Sequence, residues 1–169
     1  MKLLFISLGC DKNLVDSEEM LGMLAADGHE IVDDEDEAEV IIVNTCCFIG
    51  DAKEESVNTI LEMAEKKKAG TCKVLIVTGC MAQRYKKEIS EEIPEVDAIL
   101  GTTSYGDISK AVKEAQAGRH FEEYKSIDFL PDISGKRMLT TGGHFAYLKI
   151  AEGCDKHCTY CIIPRLRGG

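Results

Sequence analysis

Residues 40–46 read Val-Ile-Ile-Val-Asn-Thr-Cys, an apolar run that ends in two polar residues and a cysteine. A strand buried on both faces of a parallel sheet shows such a continuous run, whereas a strand with one exposed face alternates. Similar runs occur at residues 3–6, 74–77 and 98–100, and a shorter candidate lies at residues 31–32. The sequence therefore predicts a buried parallel sheet.

Helical patterns lie between these apolar runs. Two segments repeat apolar residues at the spacing of one helix face. They are Val57, Ile60, Leu61 and Ala64, and Ile108, Ala111, Val112 and Ala115. Weaker helices are predicted at residues 13–27 and 85–92. Because strands alternate with helices over short connections, the chain is predicted to be α/β, with a flavodoxin-like doubly wound parallel sheet in the strand order 2-1-3-4-5.

The pattern divides the chain into three parts. Residues 1–118 suffice for the whole sheet. Proline and glycine then punctuate residues 119–143, which predicts a linker. A new apolar run at residues 145–150 predicts the first strand of a second domain, over residues 144–169. That domain is expected to be truncated, because the chain ends soon after the strand.

The cysteine content and the N-terminal sequence bear on location. The chain of 169 residues has eight cysteines. It has no run of about 18 apolar residues, and Asp11 interrupts the N-terminus before a signal-like segment develops. A cytoplasmic protein is therefore predicted. Since thiols are kept reduced in that compartment, the cysteines indicate metal or redox chemistry rather than disulfides.

The chain is acidic, and its charge is unevenly distributed. The net charge is −10, but residues 134–169 hold six Lys or Arg against two Asp or Glu, so that segment carries +4 and the rest carries −14. An acidic domain offers no electrostatic surface for a nucleic-acid backbone. A basic protein partner fits this charge better than an RNA does, although net charge also serves solubility.

Three cysteines, Cys10, Cys46 and Cys80, come just after predicted strands that are neighbours in the sheet. They would share its carboxyl edge, where parallel sheets bind ligands. Three soft thiolates suit a [4Fe–4S] cluster that keeps one iron open. Gly9 and Gly79 precede two of them and favour a ligand site, since a backbone close to a cluster needs small residues. A zinc ion with three thiolates and a water, or cysteines that only fill the core, are the alternatives.

Two further cysteines are given other roles. Cys72 precedes the fourth strand, about 20 Å of extended chain from the Cys80 end, and is predicted to fill core or surface. Cys47 adjoins Cys46, and extended neighbours point in opposite directions, so one ligand is expected from that pair. Cys46 is the one assigned, by analogy with the other two strand ends.

A second set of cysteines lies near the end of the chain, in the sequence Gly-Cys-Asp-Lys-His-Cys-Thr-Tyr-Cys. Cys154, Cys158 and Cys161 form a C-x3-C-x2-C pattern that resembles the radical S-adenosylmethionine signature. The resemblance implies that these thiolates hold a second [4Fe–4S] cluster and that S-adenosylmethionine chelates its fourth iron. It also implies that Tyr160 lies near the adenine. A zinc site that includes His157 is the alternative.

Taken together, the two sets resemble the radical S-adenosylmethionine methylthiotransferases over the whole chain. That family implies a flavodoxin-like domain with an auxiliary cluster, followed by a radical-enzyme barrel. Residues 9–18, 44–46 and 158–164 look most like members that methylthiolate an aspartate of ribosomal protein S-twelve. Members that act on tRNA adenosine, and a non-catalytic zinc or iron–sulfur α/β module, are the alternatives.

The resemblance also implies a mechanism and partners. The second cluster would cleave S-adenosylmethionine to a radical, and the first would carry the sulfur, chemistry that amino acids cannot supply. Ribosomal protein S-twelve is the expected substrate rather than tRNA, with a flavodoxin or ferredoxin as electron donor and no membrane partner. The chain alone is not expected to turn over. The first cluster is expected to assemble on it and the second to be labile.

Four polar residues near the two sets have two interpretations each. Asn13 and Asp16 could line the first site, or could satisfy backbone amides at a helix start. Arg165 and Arg167 could contact substrate or a cofactor carboxylate, or could be loop charges. The sequence does not choose between these interpretations, and none of the four is assigned to a site.

Overall fold

The computed structural model describes residues 1–132 and 137–169. Its strands are β1 (Lys2–Ser7), β2 (Glu30–Ile31), β3 (Val40–Thr45), β4 (Val74–Gly79), β5 (Ala98–Leu100) and β6 (Phe121–Glu123). Within these residues they form one parallel sheet in the order β2-β1-β3-β4-β5-β6. The α/β class and the order 2-1-3-4-5 are confirmed, and a sixth strand extends the sheet.

Helices cover both faces of the sheet. They are α1 (Asp11–Ala26), α2 (Gly50–Lys68), α3 (Cys80–Arg84), α4 (Lys86–Glu92), α5 (Ile108–Gln116) and α6 (Ile163–Arg167). Apolar side chains of α1 and α5 pack on one face, and those of α2, α3, α4 and α6 pack on the other. Every residue of β3 and β4 is buried, since alternate side chains enter the two layers. Two-sided burial explains the continuous apolar runs.

The three central strands end level with one another. Ser7 pairs with Asn44, Asn44 pairs with Thr78, and Thr45 pairs with Gly79. The chain therefore leaves β1, β3 and β4 at the same edge of the sheet. That edge receives the residues that follow each strand.

The segment predicted as a linker, residues 119–143, contains the short strand β6. Phe121 pairs with Ala98 of β5 and packs against the core. Three residues are too few to show a periodic pattern, so nothing in the sequence marks this strand. Residues 133–136 of the predicted linker lie outside the described residues.

The barrel strand predicted at residues 145–150 is absent from the structure described. The segment pairs with none of the six strands, and Leu148 and Ile150 are 84% and 89% exposed. A strand needs a neighbouring strand to satisfy its N–H and C=O groups. In the described residues, every strand belongs to the sheet of the first part of the chain, so this segment has no partner.

Two predicted helices start at other residues in the structure. The helix predicted at residues 13–27 begins at Asp11. The helix predicted at residues 85–92 begins at Lys86, and the short helix α3 precedes it. Because α3 follows β4 directly, Cys80 is the first residue of a helix. None of the helices in the described ranges is both long and apolar enough to cross a lipid bilayer.

Candidate metal centre

Cys10, Cys46 and Cys80 lie together at the carboxyl edge of the sheet. They line one cleft of about 1080 Å³. Cys46 and Cys80 are each 6% exposed, whereas Cys10, just before α1, is exposed. The structure thus brings the three cysteines predicted as the first set into one cleft, and their role as metal ligands stays a prediction.

Two glycines let the loops of this edge press against the end of β3. Gly9 has φ +93°, and a Cβ there would lie 2.5 Å from Cβ and 2.8 Å from Sγ of Cys46. Gly79 has φ +94°, and a Cβ there would lie 2.5 Å from the carbonyl oxygen of Thr45. No L side chain fits these positions without displacing the end of β3. The glycines therefore set the spacing between the loops that carry the three cysteines.

The side chain of Asn13 ties the start of α1 to the ends of β1 and β3. Its Nδ2 donates to the carbonyl oxygen of Leu8 at 2.6 Å, and lies 3.4 and 3.3 Å from those of Asn44 and Thr45. In return, Nδ2 of Asn44 donates to the backbone oxygen of Asn13 at 3.0 Å and to Oγ of Ser17 at 2.9 Å. Asn13 thus satisfies buried backbone groups beside the cleft, and does so with tertiary rather than helix-start partners.

Ser56 of α2 holds the backbone at Cys46. The Cys46 N–H donates to Ser56 Oγ at 3.0 Å, and that hydroxyl donates to the Cys46 carbonyl oxygen at 2.8 Å. One buried hydroxyl therefore satisfies both polar groups of the peptide backbone at Cys46, where β3 has ended and the sheet no longer supplies partners. The orientation of Cys46 depends on this contact.

A buried cluster of charges lies beside the cleft and joins α1 to residues near the chain end. Asp16 accepts from Nζ of Lys149 at 2.5 Å and from Nη1 of Arg167 at 2.8 Å. Glu152 lies 2.5 Å from Lys149 Nζ and 3.4 Å from Arg167 Nη1. Asn13 accepts from Nη2 of Arg167 at 2.9 Å. Two carboxylates and two cations are thus paired, with side chains that are at most 9% exposed.

For both cations, the neighbouring carboxylates raise the pKa more than burial lowers it. Burial alone would lower the pKa of Lys149, but the Asp16 carboxylate raises it more, with help from Glu152, so its pKa lies above the ordinary range. The pKa of Arg167 is raised in the same way, chiefly by Asp16 against the effect of burial. Both cations remain charged at any physiological pH. Removing one partner of such a cluster costs far more than the intact pairs gain.

Arg167 also lies close to one of the three cleft cysteines. Burial raises the pKa of the Cys80 thiol, and the charge of the Arg167 guanidinium opposes that rise. Both side chains line the cleft. A cation beside a buried thiol favours the thiolate, which is the form that binds metals.

A second buried contact joins α1 to residues 137–140. The carboxylate of Glu18, which is fully buried, accepts from Nε of Arg137 at 2.7 Å, and from the N–H and Oγ1 of Thr140 at 2.6 and 2.8 Å. Burial raises the pKa of Glu18, but these donors lower it more, so the pKa lies below its usual value. Residues after the undescribed segment thus contact α1 at two buried carboxylates, Asp16 and Glu18.

The second set of cysteines is not brought together in the same way. Cys154 lines the cleft of the first set, whereas Cys158 and Cys161 line a separate cavity of about 430 Å³. Tyr160 and His157 line that second cavity as well, and Tyr160 is 88% exposed. In the described residues the C-x3-C-x2-C pattern is therefore split between two cavities.

The spacing of these side chains bears on the kind of metal site. Among the described residues, no three His, Cys, Asp or Glu side chains lie close enough to hold a single metal ion. A single zinc ion needs all its ligands within about 2.3 Å. Both the zinc site and the iron–sulfur cluster at the first set therefore stay predictions.

The two remaining cysteines lie in the core. Cys47 and Cys72 are buried among apolar side chains of the same cluster. Burial raises the pKa of Cys47 to about 11 and also raises that of Cys72, whose Sγ lies 3.1 Å from the Val74 carbonyl oxygen. Neither lines the cleft. Both are therefore protonated core residues in the structure.

Sequence reasoning left the buried charge cluster unassigned. The sequence allows two interpretations for Asp16 and for Arg167, and the structure places both residues in the cluster. No role is predicted for Lys149 or Glu152, because a charged residue inside an apolar run or next to a glycine is usually at the surface. The only signal was the placement of Lys149 within the apolar segment 145–150.

The chain is similar in sequence to several known proteins. The model of a family described as "Uncharacterized protein family UPF0004" matches residues 2–101. A protein of Lachnoclostridium phytofermentans named ribosomal protein uS12 methylthiotransferase RimO is 63% identical over 168 residues, which is 99% of this chain and 38% of that protein. Proteins of the same name from Clostridioides difficile and Solibacter usitatus are 52% and 53% identical, again over 99% of this chain, and over 38% and 35% of their own length. The chain thus spans little more than a third of these relatives.

Proposed function

The chain belongs to the UPF0004 family, and from that premise we propose that it is the cluster-binding part of a methylthiotransferase that modifies an aspartate of ribosomal protein uS12, also called S-twelve, by radical chemistry. The observation that carries the proposal is the cleft at the sheet edge, which Cys10, Cys46 and Cys80 line together. The names of the relatives support the reaction and the substrate.

The cleft fits an iron–sulfur cluster better than a single ion. Soft thiolates bind iron strongly, and a [4Fe–4S] cluster presents several irons across several ångströms. Cys10, Cys46 and Cys80 follow three different strands and line one cleft of about 1080 Å³, which suits the wider group. Gly9 also leaves room for the loop of Cys10 to approach Cys46 closely. The donor set and the space agree with an auxiliary [4Fe–4S] cluster.

The residues of the two sets would hold two different clusters. Cys10, Cys46 and Cys80 would bind the auxiliary one, and Cys154, Cys158 and Cys161 the one that works with S-adenosylmethionine, with Tyr160 near that cofactor. When bound, the two clusters supply the sulfur for transfer and the reductive cleavage of S-adenosylmethionine. Amino-acid side chains supply neither of these.

The other residues of the cleft prepare it for a metal cluster. Ser56 fixes the backbone of Cys46, and Arg167 favours the thiolate of Cys80. Phe48, Ile49 and Leu166 give the cleft an apolar lining. An apolar surround limits the access of water and adjusts the redox potential of a bound cluster.

The charge of the chain and the names of its relatives support the proposed substrate. The acidic residues 1–133 favour a basic ribosomal protein over a tRNA backbone. A flavodoxin or ferredoxin would deliver electrons to the cluster that cleaves S-adenosylmethionine. A cytoplasmic location follows from a ribosomal substrate.

The test uses the full-length protein that carries this chain. After anaerobic reconstitution with iron and sulfide, it is incubated with uS12, S-adenosylmethionine and a chemical reductant, and uS12 is examined by mass spectrometry. We expect a mass increase of one methylthio group on an aspartate, and its loss in Cys10→Ala, Cys46→Ala and Cys80→Ala. Modification of tRNA adenosine with uS12 unchanged would overturn the proposed substrate. Unimpaired modification in all three variants would overturn the proposed site.

A further inference from the structure

The carboxylate of Asp16 contacts the chain on both sides of the second set of cysteines. Its Oδ1 lies 2.5 Å from Nζ of Lys149, which precedes that set in the sequence. Its Oδ2 lies 2.8 Å from Nη1 of Arg167, which follows that set. Residues 150–166, here called the motif loop, therefore begin and end at one side chain of α1.

The first end of the motif loop is held by charge and not by apolar burial. Leu148 and Ile150 are exposed, whereas the side chain of Lys149 between them is 5% exposed. Burial of an ammonium group is costly unless the group is paired. The Tyr105 hydroxyl, 3.1 Å from the same Nζ, is neutral, so the Asp16 carboxylate supplies the opposite charge from α1.

The second end of the motif loop is held by side-chain and backbone contacts. Nη1 of Arg167 contacts Asp16, and Nη2 donates to Oδ1 of Asn13 at 2.9 Å, so both nitrogens meet α1. The adjacent carbonyl oxygen of Leu166 accepts from Oγ1 of Thr102 at 2.5 Å. This end is therefore fixed both to α1 and to the residues that follow β5.

The two ends of the motif loop also contact each other. The Glu152 carboxylate lies 2.5 Å from Nζ of Lys149 and 3.4 Å from Nη1 of Arg167. The N–H of Cys154 donates to the carbonyl oxygen of Gly168 at 3.0 Å. Each of the two buried carboxylates thus contacts both cations. Loss of either carboxylate would leave two buried cations with one partner, which is strongly unfavourable.

Helix α1 also carries the first set's Cys10 at its start. The carbonyl oxygen of Cys10 accepts from the N–H of Leu14 at 3.0 Å, so this residue is joined to the first turn of the helix. A helix fixes the spacing of its residues at about 1.5 Å of rise per residue. The helix that begins at one set of cysteines therefore presents the carboxylate that closes the loop of the other.

We propose that Asp16 is a positioning residue, which holds both ends of the motif loop and so sets where the second set of cysteines lies relative to the first. This role rests on the proposed function, in which the two sets hold clusters that act on one substrate. Misplacement of reacting groups by about 1 Å can slow a reaction by about a hundredfold. Asp16 acts through Lys149 and Arg167 and not by contact with the reacting atoms.

Hydrogen exchange tests the closure of the loop without any metal. Exchange at single N–H groups of the reduced, metal-free chain of 169 residues is followed by NMR. In Asp16→Asn we expect the N–H of Cys154 to exchange faster by about tenfold or more, because its bond to Gly168 depends on the closed loop. Lys149→Met keeps the pair of Asp16 with Arg167 and should speed the same exchange, which gives a second variant if Asp16→Asn does not fold. Unchanged exchange at Cys154 in a folded Asp16→Asn, or in Lys149→Met, would overturn the inference.

The matched control is Glu18→Gln, which alters another buried carboxylate of the same helix. Glu18 contacts Arg137 and Thr140, which lie before the motif loop. We expect faster exchange of the Thr140 N–H and unchanged exchange of the Cys154 N–H. An equal effect of Glu18→Gln and Asp16→Asn on Cys154 would indicate general destabilisation and refute a specific role of Asp16.

The full-length protein gives a readout that a merely structural role would not change. Deoxyadenosine, the product of S-adenosylmethionine cleavage, is counted for each methylthio group inserted into uS12. We expect this ratio to rise in Asp16→Asn, because a misplaced loop lets radicals be lost before transfer, and to stay unchanged in Glu18→Gln. A fall of both products in Asp16→Asn at an unchanged ratio would count against positioning. The proposed function fails separately, if the unmodified protein leaves uS12 unmodified.

Discussion

Nη1 of Arg167 lies 2.8 Å from Oδ2 of Asp16, and the two side chains are 2% and 4% exposed. Arg167 belongs to α6 and Asp16 to α1, so a buried ion pair joins the segment of the second cysteine set to the domain of the first. Lys149 contacts the other carboxylate oxygen. One carboxylate thus compensates for the desolvation of two cations.

The substitution Asp16→Asn removes the charge and keeps the shape of the side chain. Arg167 and Lys149 would then stay buried with Glu152 as their remaining carboxylate, and breaking such a buried pair costs about 3–5 kcal/mol. We expect the free energy of unfolding to fall by about that amount in urea denaturation.

The control for this substitution is Glu65→Gln, which breaks the exposed pair between Glu65 and Lys68. Exposed pairs contribute little, so the free energy of unfolding should stay almost unchanged. If Asp16→Asn cost no more than this control, the buried charge cluster would not hold the two segments together.

Glu18 should make the stability of the chain depend on pH. Its folded pKa is lowered by Thr140 and Arg137 against the effect of burial. The stability it contributes is therefore fully present above the usual glutamate pKa of about 4.3 and is lost as the pH falls through the lower folded pKa. We expect Glu18→Gln to lower the unfolding free energy at neutral pH by about 2 kcal/mol, and the difference from the unmodified chain to shrink below about pH 4.

Glu19, next to Glu18, is a control for which the opposite change in the free energy of unfolding is expected. Burial raises the pKa of Glu19, so its charged form is unfavourable in the folded state. Glu19→Gln should therefore raise the free energy of unfolding at neutral pH and make no difference at low pH. Parallel pH profiles for the two variants would refute the assignment of these environments.

The sheet could be predicted from the sequence because β3 and β4 are buried on both faces, and this produces continuous apolar runs. The strand order also predicted that Cys10, Cys46 and Cys80 lie at one edge of the sheet. The short strand β6 could not be predicted, since three residues show no period. The segment 145–150 has the composition of a strand but no neighbouring strand in the described structure to pair with.

The charge cluster was unpredictable for another reason. Asp16 and Lys149 are 133 positions apart, and nothing local to either residue indicates a partner. Burial of a lysine inside an apolar run depends on a carboxylate that only the tertiary structure brings near. Cys154 likewise lines the cleft of the first set, whereas the sequence motif grouped it with Cys158 and Cys161.

Gly9 should be needed for metal binding. A methyl group there would lie 2.5 Å from Cβ of Cys46, so Gly9→Ala should displace the loop of Cys10 or the end of β3. We expect less iron per chain after reconstitution, and a loss of stability of about 1–3 kcal/mol.

Gly28→Ala is a control that introduces backbone strain without a contact with Cys46. Gly28 has φ +85°, similar to the +93° of Gly9, but a Cβ there meets nothing within 4 Å. It should cost stability through backbone strain and leave the iron content unchanged. Equal iron content in both alanine variants would show that the contact with Cys46 is unimportant for the site.

The most direct test of the cluster site is Mössbauer measurement of iron in the chain after anaerobic reconstitution. Cys10→Ala, Cys46→Ala and Cys80→Ala should each lose cluster iron, whereas Cys72→Ala, which removes a buried thiol outside the cleft, should retain it. Iron content unchanged by alanine at Cys10, Cys46 and Cys80 would contradict the assignment of this cleft as a cluster site.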